Sequence, residues 1–409
     1  MASGLPRQSR LSGSVIRLVR ELSKRLSDRA LTGAKSFWFG QSARYYTILV
    51  IVTLLTGFGL IMVLSSSSID SIKAGNNGFA IFFKQAFFAI VGLSSMMALS
   101  RLSFDRLRRL ISWLFLGSIG LQVATVTFLG YSVNGNKNWI NVFGVFNVQP
   151  SEIIKLTMIL YLADYLAQRE DQKDILRTWV NPFATCIVAI GSVLWGKDLG
   201  TAMVMVAILV GVLTFAGLPR VWFWRFTGGL ALLGWWALNL GGSRMGRINA
   251  WLHHDWPDPM QYNWQQDHAV WAFASGGITG TGLGNSQLKW SWIPESENDF
   301  IFAIIGEEGG LLFALVIVAL FVWLTYNLLF AYENNMDPFS RYLLLGVMLW
   351  IGVQATINIA VVLGLLPVLG VPLPLMSAGG SSLIMLLSAV GLALGAERQF
   401  GTINLRRNR

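Results

Sequence analysis

The chain has 409 residues, of which 54% are hydrophobic and only 13% are Asp, Glu, Lys or Arg. In soluble domains about a quarter of the residues are charged, so this composition excludes a water-soluble fold of this size. The formal net charge of +10 comes largely from basic residues at the ends of apolar runs, which argues against nucleic-acid binding. The single cysteine, Cys186, excludes an intramolecular disulfide and a cysteine-based metal site.

Residues 1–43 are polar and basic, and we expect a cytoplasmic N-terminal extension without a cleavable signal peptide. Two forms of this extension stay open, an amphipathic helix on the membrane surface and a disordered basic tail. The helical alternative depends on apolar residues that would share one helical face, namely Val15, Leu18, Val19, Leu22 and Leu26.

Residues 44–397 are predicted to form an all-α polytopic membrane domain of about ten transmembrane helices. A bilayer core needs about 20 apolar residues per helix. Ten segments come near this length, at 45–66, 78–99, 109–130, 152–167, 180–196, 199–217, 221–240, 300–325, 341–364 and 375–396. With both termini in the cytoplasm, the inner segments hold 23 of the 31 Lys and Arg residues, as the positive-inside rule requires. Residues 398–409 are then a basic cytoplasmic tail.

Eight basic residues lie on the outer side or in the outer halves of the predicted spans: Lys73, Lys84, Lys137, Lys155, Lys197, Arg244, Arg247 and Lys289. Charges near the bilayer are costly and usually functional. An outer cavity with several cations therefore suits an anionic ligand, such as a lipid diphosphate. Snorkelling of the long side chains and solvation of the loops are the alternative explanation.

Residues 241–299, between the seventh and eighth predicted spans, form one large extracytoplasmic loop that is rich in Trp and holds all three histidines. Its stretch 265–275 lacks Gly and Pro and predicts a short helix along the surface, and the glycines at 276–284 predict a turning or flexible run. His253 and His254 are adjacent, which is poor spacing for zinc. We expect this loop to act as a lid over a cavity.

Two groups of ionisable residues are candidates for chemistry. Asp299 ends the loop, and Glu307 and Glu308 follow two turns later in an apolar segment. A partly buried carboxylate at the position of Asp299 can act as a general base, and a helix cap is the alternative. Glu152 and Lys155 share a helical face, either as a self-neutralising ion pair or as a lipid-phosphate contact by Lys155 that Glu152 orients.

Several motifs together resemble one known family. The most specific is Asp299-Phe300-Ile301-Phe302 with Gly306-Glu307-Glu308 after it. The others are Leu365-Leu366-Pro367, Val371-Pro372-Leu373-Pro374, Ser377-Ala378-Gly379-Gly380, Gln149-Pro150-Ser151-Glu152, Asp198-Leu199-Gly200-Thr201, Gly282-Leu283-Gly284-Asn285-Ser286, Lys84-Gln85 and Trp139. In this combination the chain resembles the SEDS family (shape, elongation, division and sporulation) from about residue 45 to residue 397.

The resemblance implies a peptidoglycan glycosyltransferase that joins lipid II units in an inverting displacement and releases undecaprenyl diphosphate. It implies that Asp299 is catalytic. Lipid II would be bound by Lys155, Glu152, Arg244, Arg247, Lys84, Trp139 and Gln265. Structural support would come from Glu307, Glu308, Asp198, Ser377, Gly379 and Gly380. No metal ligands are predicted, and a divalent cation (Mg²⁺ or Mn²⁺) is left open as a cofactor.

The resemblance also implies partners: a class B penicillin-binding protein, which is an FtsI-like transpeptidase, and further divisome proteins at the septum of the bacterial cytoplasmic membrane. The basic N-terminal extension and Ser377-Ala378-Gly379-Gly380 favour the division branch (FtsW, actinobacterial or Gram-positive type) over the elongation branch (RodA). Glu297 and His268 depart from the family pattern, so their roles stay open. A lipid II flippase and a non-catalytic division scaffold are the alternatives in other functional classes.

Overall fold

The computed structural model describes residues 41–407, apart from residues 74, 76, 134–135, 143–145, 171–175, 240–241, 254–257, 259 and 288–295. Side chains are not described at 69–70, 133, 176, 236–239, 242–244 and 400–407. The predicted N-terminal extension therefore falls outside the described part of the chain, except for its last residues.

The described residues form twelve α-helices: α1 (Ala43–Lys73), α2 (Ala80–Leu99), α3 (Phe104–Ala124), α4 (Pro150–Ala167), α5 (Asn181–Trp195), α6 (Leu199–Phe215), α7 (Arg220–Asn239), α8 (Gly242–Leu252), α9 (Trp264–Gly276), α10 (Ile301–Asn334), α11 (Pro338–Val362) and α12 (Gly380–Arg407). A π-helical turn, Thr125–Leu129, extends α3, and another, Leu176–Val180, leads into α5. Each of the ten predicted spans coincides with one of these helices.

Seven of the described helices are long and apolar enough to cross a membrane, which confirms the prediction of an all-α polytopic membrane protein. They are α1, α2, α3, α5, α10, α11 and α12. The other three predicted spans coincide with α4, which carries three charged residues, with α6, which has 17 residues, and with α7. The count of ten spans and the cytoplasmic position of both termini stay predictions.

The last predicted span and the observed helix differ at both ends. The last span was expected to begin at residue 375, but α12 begins at Gly380, because residues 366–379 fold into a buried loop held by specific hydrogen bonds. At its other end α12 continues to Arg407, through most of the residues predicted as a tail. The boundary between span and tail is therefore a change in composition within one helix.

Burial separates inner from lipid-facing helices. The most apolar part of α12 is 78% buried within the protein and that of α11 is 61% buried, against 28% for α2, α3 and α10. α12 packs along α2, and α11 packs between α4, α6 and α10. Apolar side chains that the protein leaves exposed on α2, α3 and α10 suit contact with lipid.

The segment between α3 and α4 is a small antiparallel β-meander, an element that the sequence did not predict. Its strands are β1 (Tyr131–Val133), β2 (Asn136–Val142) and β3 (Phe146–Val148), in the order β1-β2-β3. Tyr, Trp, Ile, Val and Phe recur in these strands, and such residues favour extended backbone. The prediction missed them because β1 and β3 have only three residues each and the seven-residue β2 contains three Asn and a Lys.

The helix α10 is interrupted at Gly310, where the backbone has φ 69° and ψ −175°. The interruption frees the carbonyls of Glu307 and Glu308, which accept hydrogen bonds from the amides of Thr281 and Gly282. The freed amides of Leu311 and Leu312 donate to the carbonyls of Gly277 and Ile278. The loop after α9 thus satisfies the backbone of a broken helix, as burial in an apolar environment demands.

Candidate functional site

A cavity of about 680 Å³ opens at the end of the molecule that carries the β-meander. Its wall includes side chains of α2, the meander, α4, α8 and α9, together with the loops before α10 and α12. Five charged residues line it: Lys84, Glu152, Asp198, Arg247 and Asp299. The long loop of residues 241–299 contributes Arg247 and Gln265 to this wall, so part of the predicted lid does face the cavity.

Glu152 reaches the cavity from the first turn of α4, where Pro150 occupies a position that needs no amide hydrogen. Its Oε1 lies 2.8 Å from the Lys155 Nζ, and the Ser382 hydroxyl donates to its Oε2 at 3.2 Å. Both charged side chains are almost fully buried, at 2% exposure for Lys155 and 3% for Glu152. The predicted ion pair is therefore formed.

Lys155 itself points away from the cavity wall. Its Nζ donates to the Gln354 Oε1 at 3.2 Å and lies 4.9 Å from the ring centre of Trp350. Gln354 is fixed in turn by Trp350, whose indole donates to the same Oε1 at 2.8 Å. This position does not favour the predicted direct contact between Lys155 and a phosphate group, which stays a prediction; the position suits support of Glu152.

Asp198 caps the N-terminus of α6. Its Oδ1 accepts the Thr201 amide at 3.0 Å, and its Oδ2 accepts the Gln149 side-chain amide at 2.7 Å. These bonds join the start of α6 to the residue that precedes α4. Asp198 was predicted as structural support, and its geometry is that of a helix cap that also faces the cavity.

The loop that precedes α12 supplies the cavity floor. The Gln85 side chain binds it at two points, donating to the Ser377 carbonyl and accepting the Gly379 amide, each at 3.2 Å. The Ser377 hydroxyl accepts the Leu373 amide at 2.8 Å. A Cβ at Gly380 would lie 2.2 Å from the Phe88 ring, so only glycine fits there. Gly379 and Gly380 line the cavity, whereas Ser377 lies behind them.

Asp299 lies in the turn at residues 296–299, directly before α10, and lines the cavity. The Asn358 amide donates to its backbone carbonyl at 2.7 Å and to the Val371 carbonyl at 2.8 Å, which ties the turn to the cavity floor. The N-cap residue of α10 is Phe300, without a side-chain cap bond. Asp299 therefore lies one residue before the N-cap position, and both interpretations of its carboxylate, general base and charged helix cap, stay predictions.

Glu307 and Glu308 do not line the cavity; they hold the loop after α9 against the interruption in α10. The Glu307 carboxylate accepts the Ser286 hydroxyl at 2.5 Å and the Gln287 amide at 2.9 Å. The Glu308 carboxylate accepts the Ser65 hydroxyl at 2.6 Å and 2.8 Å. The glycine run predicted as turning or flexible is thus a tightly turned segment with specific partners.

The remaining predicted residues divide by position. Lys84, Trp139, Arg247 and Gln265 all line the cavity. The side chain of Arg244 lies outside the described residues, as do His254 and Lys289. His268 is buried in α9, where its Nδ1 lies 2.7 Å from the Trp264 carbonyl oxygen. The predicted surface helix is therefore a helix with one face buried against α10.

Sequence reasoning missed the neutral amides of the wall: Asn136, Asn138, Asn147 and Asn298, with Gln85 and Gln149 only as parts of motifs. No single local pattern marks them, because they come from α2, the meander and two loops. Within the described residues no group of three His, Cys, Asp or Glu side chains could hold a metal ion.

The comparisons with known proteins place the chain in a family. The family model described as cell cycle protein, which covers FtsW, RodA and SpoVE, matches residues 46–400. The chain is 37% identical over 364 residues to the probable peptidoglycan glycosyltransferase FtsW of Mycobacterium tuberculosis, covering 88% of this chain and 69% of that protein. It is 34% identical over 359 residues to that of Geobacter metallireducens, covering 87% and 95%.

Two solved structures are similar along most of the chain. One is a chain of a peptidoglycan synthase complex in which polymerization and crosslinking are coordinated, with TM-score 0.72, 26% identity, and coverage of 89% of this chain and 99% of that chain. The other is the rod shape determining protein RodA of Thermus thermophilus, with TM-score 0.66, 25% identity, and coverage of 89% and 98%. The chain therefore belongs to the FtsW, RodA and SpoVE family of cell cycle proteins.

Proposed function

We propose that this protein is a peptidoglycan glycosyltransferase that joins lipid II units into glycan strands and releases undecaprenyl diphosphate. The observation that carries the proposal is one cavity whose wall holds the Asp299 carboxylate together with the cations Lys84 and Arg247. Transfer of a sugar from a lipid diphosphate needs a base for the attacking hydroxyl and cations for the leaving diphosphate. The names of the FtsW relatives support the same activity.

The reaction is a single inverting displacement. The 4-hydroxyl of the acceptor sugar attacks the anomeric carbon of the donor while the bond from that carbon to the diphosphate oxygen breaks. Asp299 takes the hydroxyl proton as general base. Lys84 and Arg247, with Arg244 as a further candidate, stabilise the negative charge that develops on the leaving diphosphate.

The buried residues around the cavity position this chemistry. Lys155 neutralises Glu152 from behind, so that Glu152 can face the substrate without an uncompensated buried charge. Asn358 holds the backbone of Asp299, and Asp198 and Gln149 fix the neighbouring helix starts. The hydrogen bonds of Asn358 and Gln149 join different elements, which keeps the base in a fixed place relative to the cations.

The partner that we propose is a class B penicillin-binding protein that supplies transpeptidase activity, at the division septum. The similarity to a chain of a peptidoglycan synthase complex supports such an assembly. The FtsW names of the sequence relatives favour division over elongation.

A flippase for lipid II is the second candidate, and the interruption of α10 is the feature that favours it, because transporters bind substrates at discontinuous helices. Here, however, the freed backbone groups on both sides of Gly310 bind the loop after α9. The cavity lies at the other end of that half-helix, beside Asp299. The geometry therefore supports polymerisation at the membrane surface over transport.

The experiment is reconstitution of the full chain in liposomes that contain lipid II, alone and with its transpeptidase partner. We expect glycan strands of many units on a gel, and no transfer of fluorescent lipid II between leaflets above protein-free liposomes. Transfer without polymer would establish the flippase instead. If both preparations lack polymer and transfer, the result would contradict the proposal and favour a non-catalytic scaffold.

A further inference from the structure

Apart from Gln265, the amide side chains in the cavity wall fall into two groups. Gln85, Asn138 and Gln149 are each held by hydrogen bonds within the protein. Asn138 accepts from the Gln122 side chain at 2.9 Å and donates to the Gly196 carbonyl at 2.8 Å, and it is 1% exposed. A Cβ at Gly196 would lie 1.7 Å from the Asn138 Oδ1, so the position of the Asn138 side chain requires glycine at residue 196. This first group builds the wall.

The second group consists of Asn136, Asn147 and Asn298. Within the described residues, the side chains of Asn136 and Asn298 have no hydrogen-bond partner. The Asn147 Oδ1 accepts the Asn141 amide at 3.2 Å, and its Nδ2 has no acceptor among those residues. Each such amide offers donors and an acceptor at a cavity surface.

The β-meander presents an indole on the same face as one of these amides, Asn147. Asn141 and Asn147 are register partners of β2 and β3, and Trp139 precedes Asn141 by two residues, so all three side chains share one face of the meander. Trp139 and Asn147 line the cavity from this face. The bond from Asn141 orients the Asn147 amide, and directs its Nδ2 hydrogens away from the sheet partner.

Neutral amides beside an indole differ chemically from the charged part of the same wall. Lys84 lies on α2 and Arg247 on α8, where they suit phosphate oxygens. Amides match hydroxyl and acetamido groups, which both donate and accept hydrogen bonds, and an indole packs against the apolar face of a sugar ring. Asn298 comes from the same turn as Asp299, which places one such amide next to the proposed base.

We propose that Asn136, Asn147 and Trp139 of the β-meander form a subsite for the N-acetylated sugar of the lipid-linked substrate, together with Asn298 from the turn before α10. The inference rests on the proposed function and deepens it by separating a sugar-binding wall from the cations that bind the diphosphate. The meander is then a specificity element, not only a connection between α3 and α4.

The experiment measures binding of two lipids to the full chain in nanodiscs: undecaprenyl diphosphate that carries the disaccharide-peptide, and undecaprenyl diphosphate alone. Asn136→Ala and Asn147→Ala each remove about one or two hydrogen bonds, so we expect about tenfold weaker binding of the sugar-bearing lipid. Binding of the sugar-free lipid stays within about twofold, because its contacts are to the cations. Ser132→Ala, an exposed residue of β1 outside the cavity wall, is the matched control and changes neither.

Asn147→Asp guards against a folding artefact, because its carboxylate can still accept the bond from Asn141 while the Nδ2 donors are lost. We expect it to weaken binding of the sugar-bearing lipid as Asn147→Ala does. Equal weakening of both lipids, or no weakening of either, would overturn the subsite. The polymerisation assay on the wild type decides the proposed function separately, since the binding comparison does not require turnover.

Discussion

Glu152 and Lys155 illustrate what the sequence discloses about single residues. Their i, i+3 spacing predicted the ion pair, because residues three apart share a helical face. The sequence could not disclose Gln354 and Trp350, which come from α11 about 200 positions away and enclose the ammonium. Long-range packing therefore decided that Glu152 faces the cavity and that Lys155 lies behind it.

Replacing Lys155 tests this arrangement. Lys155→Met leaves the Glu152 carboxylate buried without its partner, and we expect a loss of about 3 kcal/mol in the free energy of unfolding. Thermal unfolding in detergent micelles measures the loss. The half-buried Lys137, whose Nζ donates only to the Thr127 carbonyl among described residues, gives the control Lys137→Met, with a change within about 0.5 kcal/mol.

A second substitution distinguishes the charge from the shape. Glu152→Gln combined with Lys155→Met removes both charges, so we expect most of the lost stability to return. Polymerisation should not return, because the cavity has lost the Glu152 carboxylate. Equal instability in the single and double variants would mean that the ion pair is not the reason for the loss.

At the scale of elements, the broken helix α10 and the loop after α9 form one unit. The sequence marked the glycine run and the two carboxylates separately, as a turning segment and as buried charges. It could not disclose that they bind each other, because the partners are 20 or more positions apart: Ser286 bonds to Glu307 and Gln287 to the same carboxylate. Backbone groups that a helix break exposes must find partners, and this loop supplies them.

Gly310→Ala tests the unit. The residue has a positive φ of 69°, and an added Cβ would lie 2.3 Å from the Gly280 amide nitrogen. We expect a loss of about 1–3 kcal/mol in the free energy of unfolding. We also expect a lower rate of polymerisation, because the half-helix after Asp299 shifts. The melting temperature and the polymerisation rate measure the two effects.

A glycine in a regular helix serves as the control. Gly228 lies within α7, where an added Cβ would meet no atom within 4 Å. Gly228→Ala should leave stability unchanged or raise it by up to about 1 kcal/mol, since alanine favours helix. If Gly310→Ala changed the stability as little as Gly228→Ala does, the interruption of α10 would not contribute to the stability of the fold.

For the whole molecule, composition and hydropathy predicted an all-α membrane protein, and the positions of ten apolar segments all became helices. Composition and hydropathy did not predict the β-meander, because its strands are short and contain polar residues such as Asn136 and Asn147. The cavity was predictable only in part. Its charged residues stood out against an apolar chain, whereas its amides did not, since Asn and Gln are common in any outer loop.

We propose that lipid-linked sugars are polymerised in the cavity beside the β-meander, with Asp299 as general base. The most direct measurement is the rate of lipid II polymerisation by Asp299→Asn, reconstituted in liposomes with the partner, against the wild type. Removal of a general base predicts a loss of about 100- to 10,000-fold, with lipid II binding retained. Glu333→Gln, at an exposed carboxylate near the far end of α10, should polymerise at the wild-type rate. A wild-type rate for Asp299→Asn would contradict the account.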